Sequence, residues 1–500
     1  MMRLLQPEET GVSFTNTLYE STELNIITFE YLYNGAGVAV GDINDDGLAD
    51  LYFSGNMVPG RLYLNRGDLH FEEVTEQAGI DTRGKWGTGV SMVDVNADGR
   101  LDLYLCFSGP YTAEVRKNML YINNGDGTFT FHQGDIGDYP SGGNYGSVWV
   151  DYDNDGDMDC FIAKCNVNGD VNERSENQLY QNDGAGNFVE VAETAGLKDN
   201  MQTWSSAWAD FDNDGHLDVF VGSSSANFTH KLNRNNGDGT FTDISASTGI
   251  HALTTTGIEN CTYDFNNDGY ADIASNGNIL LNNGDLTFTL IPLALPNNNG
   301  SLGDLNNDGF IDSFTGGQIY YNDGNSNHWI TINTIGVESN INGIGARVTI
   351  TSALGTQIRE VRSGEGFKYM STLNTHFGLG QDTEIATLTI AWPSGIVDTL
   401  ENVAVDQVIS VVEGSTVLGL NESVTNNLIL YPNPAQHILN LGDTTDFTNP
   451  SYSIFDMQGR KLMGAPLDAN AIDVSTLATG NYILKIQDGN TLKSQRFIKK

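Results

Sequence analysis

Carboxylates recur at fixed spacing in this chain. Six nine-residue segments share the pattern D-x-[DN]-x-D-G-x-x-D, starting at Asp42, Asp94, Asp151, Asp210, Asp264 and Asp304. Positions 1, 3, 5 and 9 offer oxygen-bearing side chains. The first segment supplies Asp42, Asn44, Asp46 and Asp50, and the second Asp94, Asn96, Asp98 and Asp102. The third supplies Asp151, Asp153, Asp155 and Asp159, and the fourth Asp210, Asp212, Asp214 and Asp218. Asp264, Asn266, Asp268 and Asp272 come from the fifth; Asp304, Asn306, Asp308 and Asp312 come from the sixth. The invariant glycine at position 6 permits a sharp turn that folds alternate side chains around one point. The position 7 carbonyl, from Leu48, Arg100, Asp157, His216, Tyr270 or Phe310, is a further expected ligand. Such an all-oxygen, carboxylate-rich cage suits calcium; magnesium keeps its waters and demands near-ideal octahedral geometry. An EF-hand would need a bidentate Glu at position 12, where the chain has Phe53, Leu105, Ile162, Val221, Ser275 and Thr315.

The charge balance agrees. The 500 residues carry 64 acidic against 24 basic side chains, a net charge of -40. Twenty of those acids are Asp residues at positions 1, 3, 5 and 9 of the six segments. Left without a cation, three or four carboxylates would crowd together in each loop, raising their pKa values and straining the fold. Ions that merely staple the sheets together satisfy this chemistry as well as ions that bridge to a ligand. No basic stripe is present to replace the counterions of a nucleic acid, so nucleic-acid binding is excluded as a default.

The loops need elements to hold them. Each lies between apolar or alternating runs, such as GTGVSMV before Asp94 and LYLCF from Leu103, and a second hairpin follows in every repeat, as in MLYINNGDGTFTF. Asn-Gly and Asp-Gly pairs supply the positive φ angles of tight hairpin turns. Four strands per repeat, with repeats 40–59 residues apart, predict propeller blades rather than a helical solenoid. The sixth repeat lacks an evident fourth strand. GVSFTN, near the N-terminus, reads like the fourth strands elsewhere, so it is expected to close the ring by pairing with the last blade; residues 17–35 are candidates for part of a seventh. The fold class read here is all-β: an integrin-like β-propeller with six recognisable calcium-loop blades, six or seven in total, followed by two small β-sandwich domains.

These repeats resemble the FG-GAP/VCBS family, whose propellers carry calcium in such loops. Residues 328–413 resemble the ASPIC/UnbV domain through HWITINTIGVESNINGIGARVTI, QIREVRSGEGFKYMST, HFGLGQ and TIAWPSG. They alternate like a small antiparallel sandwich with Gly343, Gly345 and Gly378 at bends; Arg347, Arg359, Arg362 and Glu365 read either as a binding patch or as a structural ion-pair network. Residues 427–500, behind a linker at 414–426, resemble the type IX secretion C-terminal sorting domain through LYPNPA, YSIFDMQGRKL, STLATGNYILKI and the terminal QRFIKK. This tail holds seven basic and six acidic residues, a break from the acidic remainder that marks a separate module. The expected domains are therefore 1–327, 328–413 and 427–500. The last resemblance implies contact with the type IX secretion machinery, export across the outer membrane of a two-membrane bacterium and removal of the tail. The start, MMRLLQPEETGVSF, has no apolar signal region, which leaves a removed or omitted signal or a cytoplasmic protein; the sorting-domain resemblance, whose members need a signal peptide, implies the former. No apolar stretch reaches the ~20 residues of a membrane span.

Several tempting features are discounted. Arg66, Gly67 and Asp68 spell RGD but occupy the turn that reads NGDG in other blades. Trp86, Tyr145, Trp149, Trp204 and Trp208 read as blade-core packing before a sugar-stacking platform. No G-x-S-x-G, HExxH or phosphate-binding glycine loop occurs. Pairing among Cys106, Cys160, Cys165 and Cys261 is open, with buried free thiols a match for disulfides. The expected function is a secreted or cell-surface scaffold that binds a glycan or protein ligand, not an enzyme. The competing expectation is a calcium-dependent polysaccharide-active enzyme such as a lyase.

Overall fold

A computed structural model describes residues 5–132, 136, 142–165, 176–295, 298–364, 366–416, 429–431, 433, 435–442, 450–456, 461–467, 470–478, 480–488 and 491–500. The chain divides into two compact units, Met1–Val417 and Leu418–Lys500. Glu365 and most of the linker, 417–426, lie outside the described residues. Among the described residues, no helix is long and apolar enough to cross a membrane.

Six antiparallel sheets follow one another along residues 38–320, and within each the strands pair in chain order. Blade 1 comprises Val38–Gly41, Asp50–Phe53, Arg61–Asn65 and Phe71–Glu73. The first strands of blades 2 to 5 are Trp86–Val93, Gly143–Val150, Thr203–Ala209 and Asn260–Tyr263, each opening a four-stranded sheet. First strands lie against one another around the centre: Thr88 Oγ1 donates to Asn144 O (2.7 Å), Ser91 and Ser147 share a hydroxyl hydrogen bond (3.1 Å), and Asn260 N donates to Ser205 Oγ (2.9 Å). Covered on both faces, Trp86–Val93 is buried throughout. It tolerates this through small residues: a Cβ at Gly89 would stand 2.6 Å from Tyr145 O.

A ladder of asparagines ties each blade to the one before it. The amide of Asn123 donates to Ile43 O, Asn182 to Val95 O, Asn235 to Tyr152 O, Asn282 to Phe211 O and Asn322 to Phe265 O, at 2.8–3.1 Å. Buried side-chain amides satisfied in this way make each junction specific in register.

The ring is not closed as the sequence suggests. The sixth blade has three strands, Ser301–Gly303, Asp312–Thr315 and Gln318–Tyr320. GVSFTN does not pair with it. Phe14 stacks on Phe53 of blade 1 with centroids 5.2 Å apart. The preceding residues explain why. Helix Pro7–Thr10 ends on Gly11 (φ 79°), which sits against the Phe71 carbonyl of blade 1. Gly196 and Gly249 end short helices in the same way, and a Cβ on either would lie 3.0 Å from the carbonyls of Phe241 and Phe288 in the next blade. ETGV is thus the turn that precedes a blade, and it carries GVSFTN onto blade 1. Residues 17–35 form turns and no strand; Phe29 and Leu32 pack on Trp86, and Tyr31 packs edge-on to Tyr145 and Trp204.

Residues 328–412 form a sandwich. One sheet holds Thr375–Gly380, His328–Ile335 and Gln407–Val412, the last two parallel; the other holds Gly355–Glu360, Arg347–Ser352, Glu384–Ala391 and Val397–Ala404. Its core of Ile330, Ile332, Val348, Ile350, Phe377 and Leu388 runs on into Ala39, Met92 and Leu101 of blades 1 and 2. From it residues 361–364 and 366–372 enter the centre of the ring. Ser363 Oγ donates to Val40 O (2.8 Å), Arg362 Nη2 to Trp208 O (3.1 Å) and Thr372 N to Leu302 O (3.3 Å). Phe367 packs edge-on to the stacked pair of Tyr145 and Trp204, 5.4 and 5.1 Å from them.

The second unit is also a sandwich. Its sheets are Ile429–Tyr431, Ile438–Gly442 and Ala471–Asp473, and Lys461–Pro466, Ser451–Asp456, Gly480–Asp488 and Thr491–Lys499. Leu439, Leu441, Ile454, Ile472, Leu484 and Phe497 fill the space between them.

Candidate metal loops

Each nine-residue segment joins the first two strands of its blade, and all six adopt one hydrogen-bonding scheme. The position 1 carboxylate accepts from the position 5 and position 6 amides: Asp94 takes Asp98 N at 3.0 Å and Gly99 N at 2.8 Å, and Asp210 takes Asp214 N and Gly215 N at the same distances. The position 9 Asp accepts from the position 2 amide, as Asp102 does from Val95 N (3.1 Å) and Asp272 from Phe265 N (2.9 Å). The position 5 Asp holds the position 7 amide, as Asp155 does for Asp157 and Asp308 for Phe310, both at 3.0 Å. Position 4 has φ between 54° and 64° in every loop, including the non-glycine residues Asp45, Ala97 and Asn154. With the position 6 glycine also at positive φ, the chain coils tightly about the first carboxylate.

In blades 3 and 4, where position 3 is Asp, three carboxylates converge in each loop. Oxygens of Asp151, Asp153 and Asp159 lie within 4.8 Å of one another, as do those of Asp210, Asp212 and Asp218. Position 3 then decides how ready each loop is for a cation. Asp153 Oδ1, Asp212 Oδ1 and Asn96 Oδ1 are buried and have no hydrogen-bond partner. Unpaired buried acceptors are costly, and a hard cation satisfies them. In loops 1, 5 and 6 the position 3 oxygen is engaged: Asn44, Asn266 and Asn306 each accept from the position 5 amide at 3.0–3.3 Å. Basic side chains reach the outer oxygens of some loops. Arg234 contacts Asp212 and Asp214 at 2.7 and 2.6 Å, and Arg100 contacts Asp98 at 3.0 Å.

Burial, reinforced by the neighbouring acids, raises these carboxyls above the ordinary range. It pushes Asp94 and Asp210 up to about 6, Asp50 and Asp151 to about 7, Asp102 and Asp218 to about 8, and Asp159 to about 9. A divalent cation reverses that penalty by supplying the missing positive charge. An all-oxygen donor set of this kind suits calcium.

One residue class at the loops escaped the sequence reading. Asn65, Asn123, Asn182, Asn235, Asn282 and Asn322 each donate the backbone N–H to the position 9 Asp, at 2.7–2.9 Å. Their side-chain oxygens also accept from the glycine two residues on, at 2.9–3.2 Å. The signal was visible as the Asn that opens each N-x-G turn.

The second domain stands on this face of the ring. Asp42 N donates to Asn342 Oδ1 (2.7 Å), and Arg347 donates to Asp151 O (2.6 Å) and Asn154 while pairing with Glu360 (2.7 Å). Arg359 lies over the Phe377 ring. Arg347 is thus a structural ion-pair residue against the ring, Arg362 a donor to its backbone, and Arg359 a partly buried cation over an aromatic face. Arg66 is bound to Glu72 at 2.7 Å within its hairpin, which accounts for the RGD run as a turn. Trp86, Tyr145, Trp149, Trp204 and Trp208 are all buried, and Cys106, Cys160, Cys165 and Cys261 form no disulfides with one another.

Comparison with known proteins places families on these parts. The FG-GAP-like repeat profile matches residues 42–105, 108–162 and 151–221, ASPIC and UnbV matches 336–417, and the secretion system C-terminal sorting domain matches 429–500. Human cartilage acidic protein 1 is 27% identical over 429 residues, 80% of this chain and 57% of that protein. The mouse protein is 27% identical over 373 residues, 72% of this chain and 49% of that one. The chain thus spans about half the length of the curated relatives it matches. Among solved structures, the extracellular domain of a putative hybrid two-component system from B. thetaiotaomicron is similar at 12% identity and a TM-score of 0.32, over 93% of this chain and 57% of that one. Overlap this low leaves the strand topology to speak for the fold. The sorting domain points to secretion. The chain is a β-propeller protein built of FG-GAP-like repeats, an ASPIC and UnbV domain and a type IX secretion C-terminal sorting domain.

Proposed function

We propose that this chain is a calcium-stiffened scaffold, displayed outside the cell, that binds a glycan or protein ligand. Its modules are a propeller at 1–327, the sandwich at 328–413 and a sorting tail at 427–500 that engages the type IX secretion machinery. The ligands to calcium are the oxygens of positions 1, 3, 5 and 9 and the position 7 carbonyls. The observation that carries the reading is the shared cage of six loops, with buried unpaired oxygens on Asn96, Asp153 and Asp212. Because the second domain covers the loop face, the ligand-binding surface lies on the opposite face, around the N-terminal segment. There Tyr19, Ile27 and Tyr33 are exposed beside the buried anchors Phe29 and Leu32. Ring-presenting tyrosines of this kind suit glycans and protein partners alike. The matched profiles describe repeats and a sorting domain, not catalytic domains.

Calorimetric titration of the metal-free protein with calcium tests the first part, with several equivalents per chain expected. Screening the calcium-loaded protein on glycan and protein arrays, beside a Tyr19→Ala/Tyr33→Ala variant, tests the second. An absence of calcium uptake, or a ligand bound equally by that variant, overturns the corresponding part.

A further inference from the structure

The six loops share their internal bonding but not their surroundings. In blade 3 the turn residues Asn154 and Gly156 are exposed. Their equivalents in blade 5 are sealed: Asn267 is 0% exposed and Gly269 is buried. What covers them is the strand Thr375–Gly380 of the second domain, the segment that reads HFGLG. His376 Nε2 bonds Asn267 Oδ1 at 2.8 Å, and Gly380 N donates to Asn267 O at 2.8 Å. Gly378 lies directly on the loop, so a Cβ there would run into Asp264 Oδ2 and the Asn267 backbone. Leu354 closes over Gly269, where a Cβ would lie 3.0 Å from its Cδ1. From the third side Asn325 and Asn327 donate to Asn266 O at 2.6 and 2.9 Å. Gln357, 1% exposed, donates to Gly378 O at 2.9 Å and leaves its Oε1 buried beside the loop without a partner.

We infer that residues 376–380 form a gate over the fifth loop, so that a calcium ion held by Asp264, Asn266, Asp268 and Asp272 exchanges only when the second domain lifts off. The inference rests on the calcium reading above and goes beyond it: the second domain also touches loops 1, 2, 3 and 6, through Asn342, Glu338, Arg347 and Trp329, but the fifth is the loop whose position 4 residue and position 6 glycine are both buried. Exchange at the locked loop is limited by a sub-global opening rather than by ligand dissociation. By linkage, occupancy of that loop and docking of the domain strengthen each other equally. The HFGLG run then has a physical reason in this chain. His376 holds the Asn267 side chain, Gly380 holds its backbone carbonyl, and glycine at 378 is the residue that fits over Asp264.

The experiment is calcium release from the loaded full chain, mixed rapidly with an excess of a fluorescent calcium chelator. One equivalent per chain is expected in a phase at least about tenfold slower than the rest, because release must await domain opening. Asp272→Asn should abolish the slow equivalent, whereas Asp102→Asn should subtract from the fast ones only. His376→Ala should bring the slow phase toward the fast rate without removing it. Release of all equivalents in a single phase from the unaltered chain overturns the gate while leaving the calcium reading intact. A slow phase that survives Asp272→Asn and is lost in Asp102→Asn does the same. Failure to load calcium at all overturns both.

Discussion

Ile43, Val95, Tyr152, Phe211 and Phe265 follow the first Asp of their loops and are at most 8% exposed; Leu305, at the same position in blade 6, is 50% exposed. In the second strands, Tyr52, Tyr104, Phe161, Phe220 and Ala274 are at most 1% exposed, while Phe314 is 49% exposed. The loop of blade 6 nevertheless keeps the common scheme, with Asp304 accepting Asp308 N and Gly309 N at 3.1 and 2.8 Å. The contrast separates two sources of order. Loop geometry is written in nine consecutive residues and survives at an open end. Burial of the apolar partners depends on a neighbouring blade and does not. Blade 1 shows the complementary deficit: its Asn65 amide bonds Ala49 O of its own blade, whereas its five counterparts reach the preceding one.

The comparison is sharpest without metal. Chelation should lower the melting temperature of the propeller strongly, since ions that bind only the folded chain stabilise it by mass action; scanning calorimetry with and without chelator reads this, and an unchanged transition breaks the scheme. In chelator, stability should fall as pH rises from about 4 to about 8. The buried Asp carboxyls hold protons in the folded chain that the unfolded chain has released, so raising the pH through that window favours unfolding. Saturating calcium should remove that trend.

Next come the apolar faces. Phe161→Ala should cost about 3–5 kcal/mol in denaturant unfolding, the range for a buried aromatic, and Phe314→Ala within about 0.5 kcal/mol. Equal losses would mean that the face of blade 6 is covered in solution. Smallest is the asparagine ladder. Asn182→Ala should cost about 1–3 kcal/mol because it strands the carbonyls of Val95 and Met158, and Asn65→Ala less, since it lacks the bond to a preceding blade.

Much of this was legible in the chain because the information is local. Asp, Asn and Gly at fixed offsets specify the loop, and Asn-Gly turns specify the hairpin after it. What failed was long range. GVSFTN matches the fourth strands in side-chain pattern, yet its place is set by Gly11 and the short helix before it, which dock on blade 1. The arginines of the second domain were visible as charges, but their partners Asp151 and Trp208 lie 196 and 154 residues earlier, a pairing that neither periodicity nor spacing reveals. The gating role of Gly378 was hidden for the same reason: its bend was readable, and the acid beneath it was not.

Phe367 bears on the order in which the molecule can be made. Its aromatic companions Tyr31, Tyr145 and Trp204 are synthesised long before it, so the hub must wait, incomplete, until the chain has grown well past the last blade. Contacts that span several hundred residues fold slowly and leave apolar surface uncovered meanwhile. Assembly therefore finishes at the axle, and a chain cut short before residue 367 would lack the piece that centres its wheel.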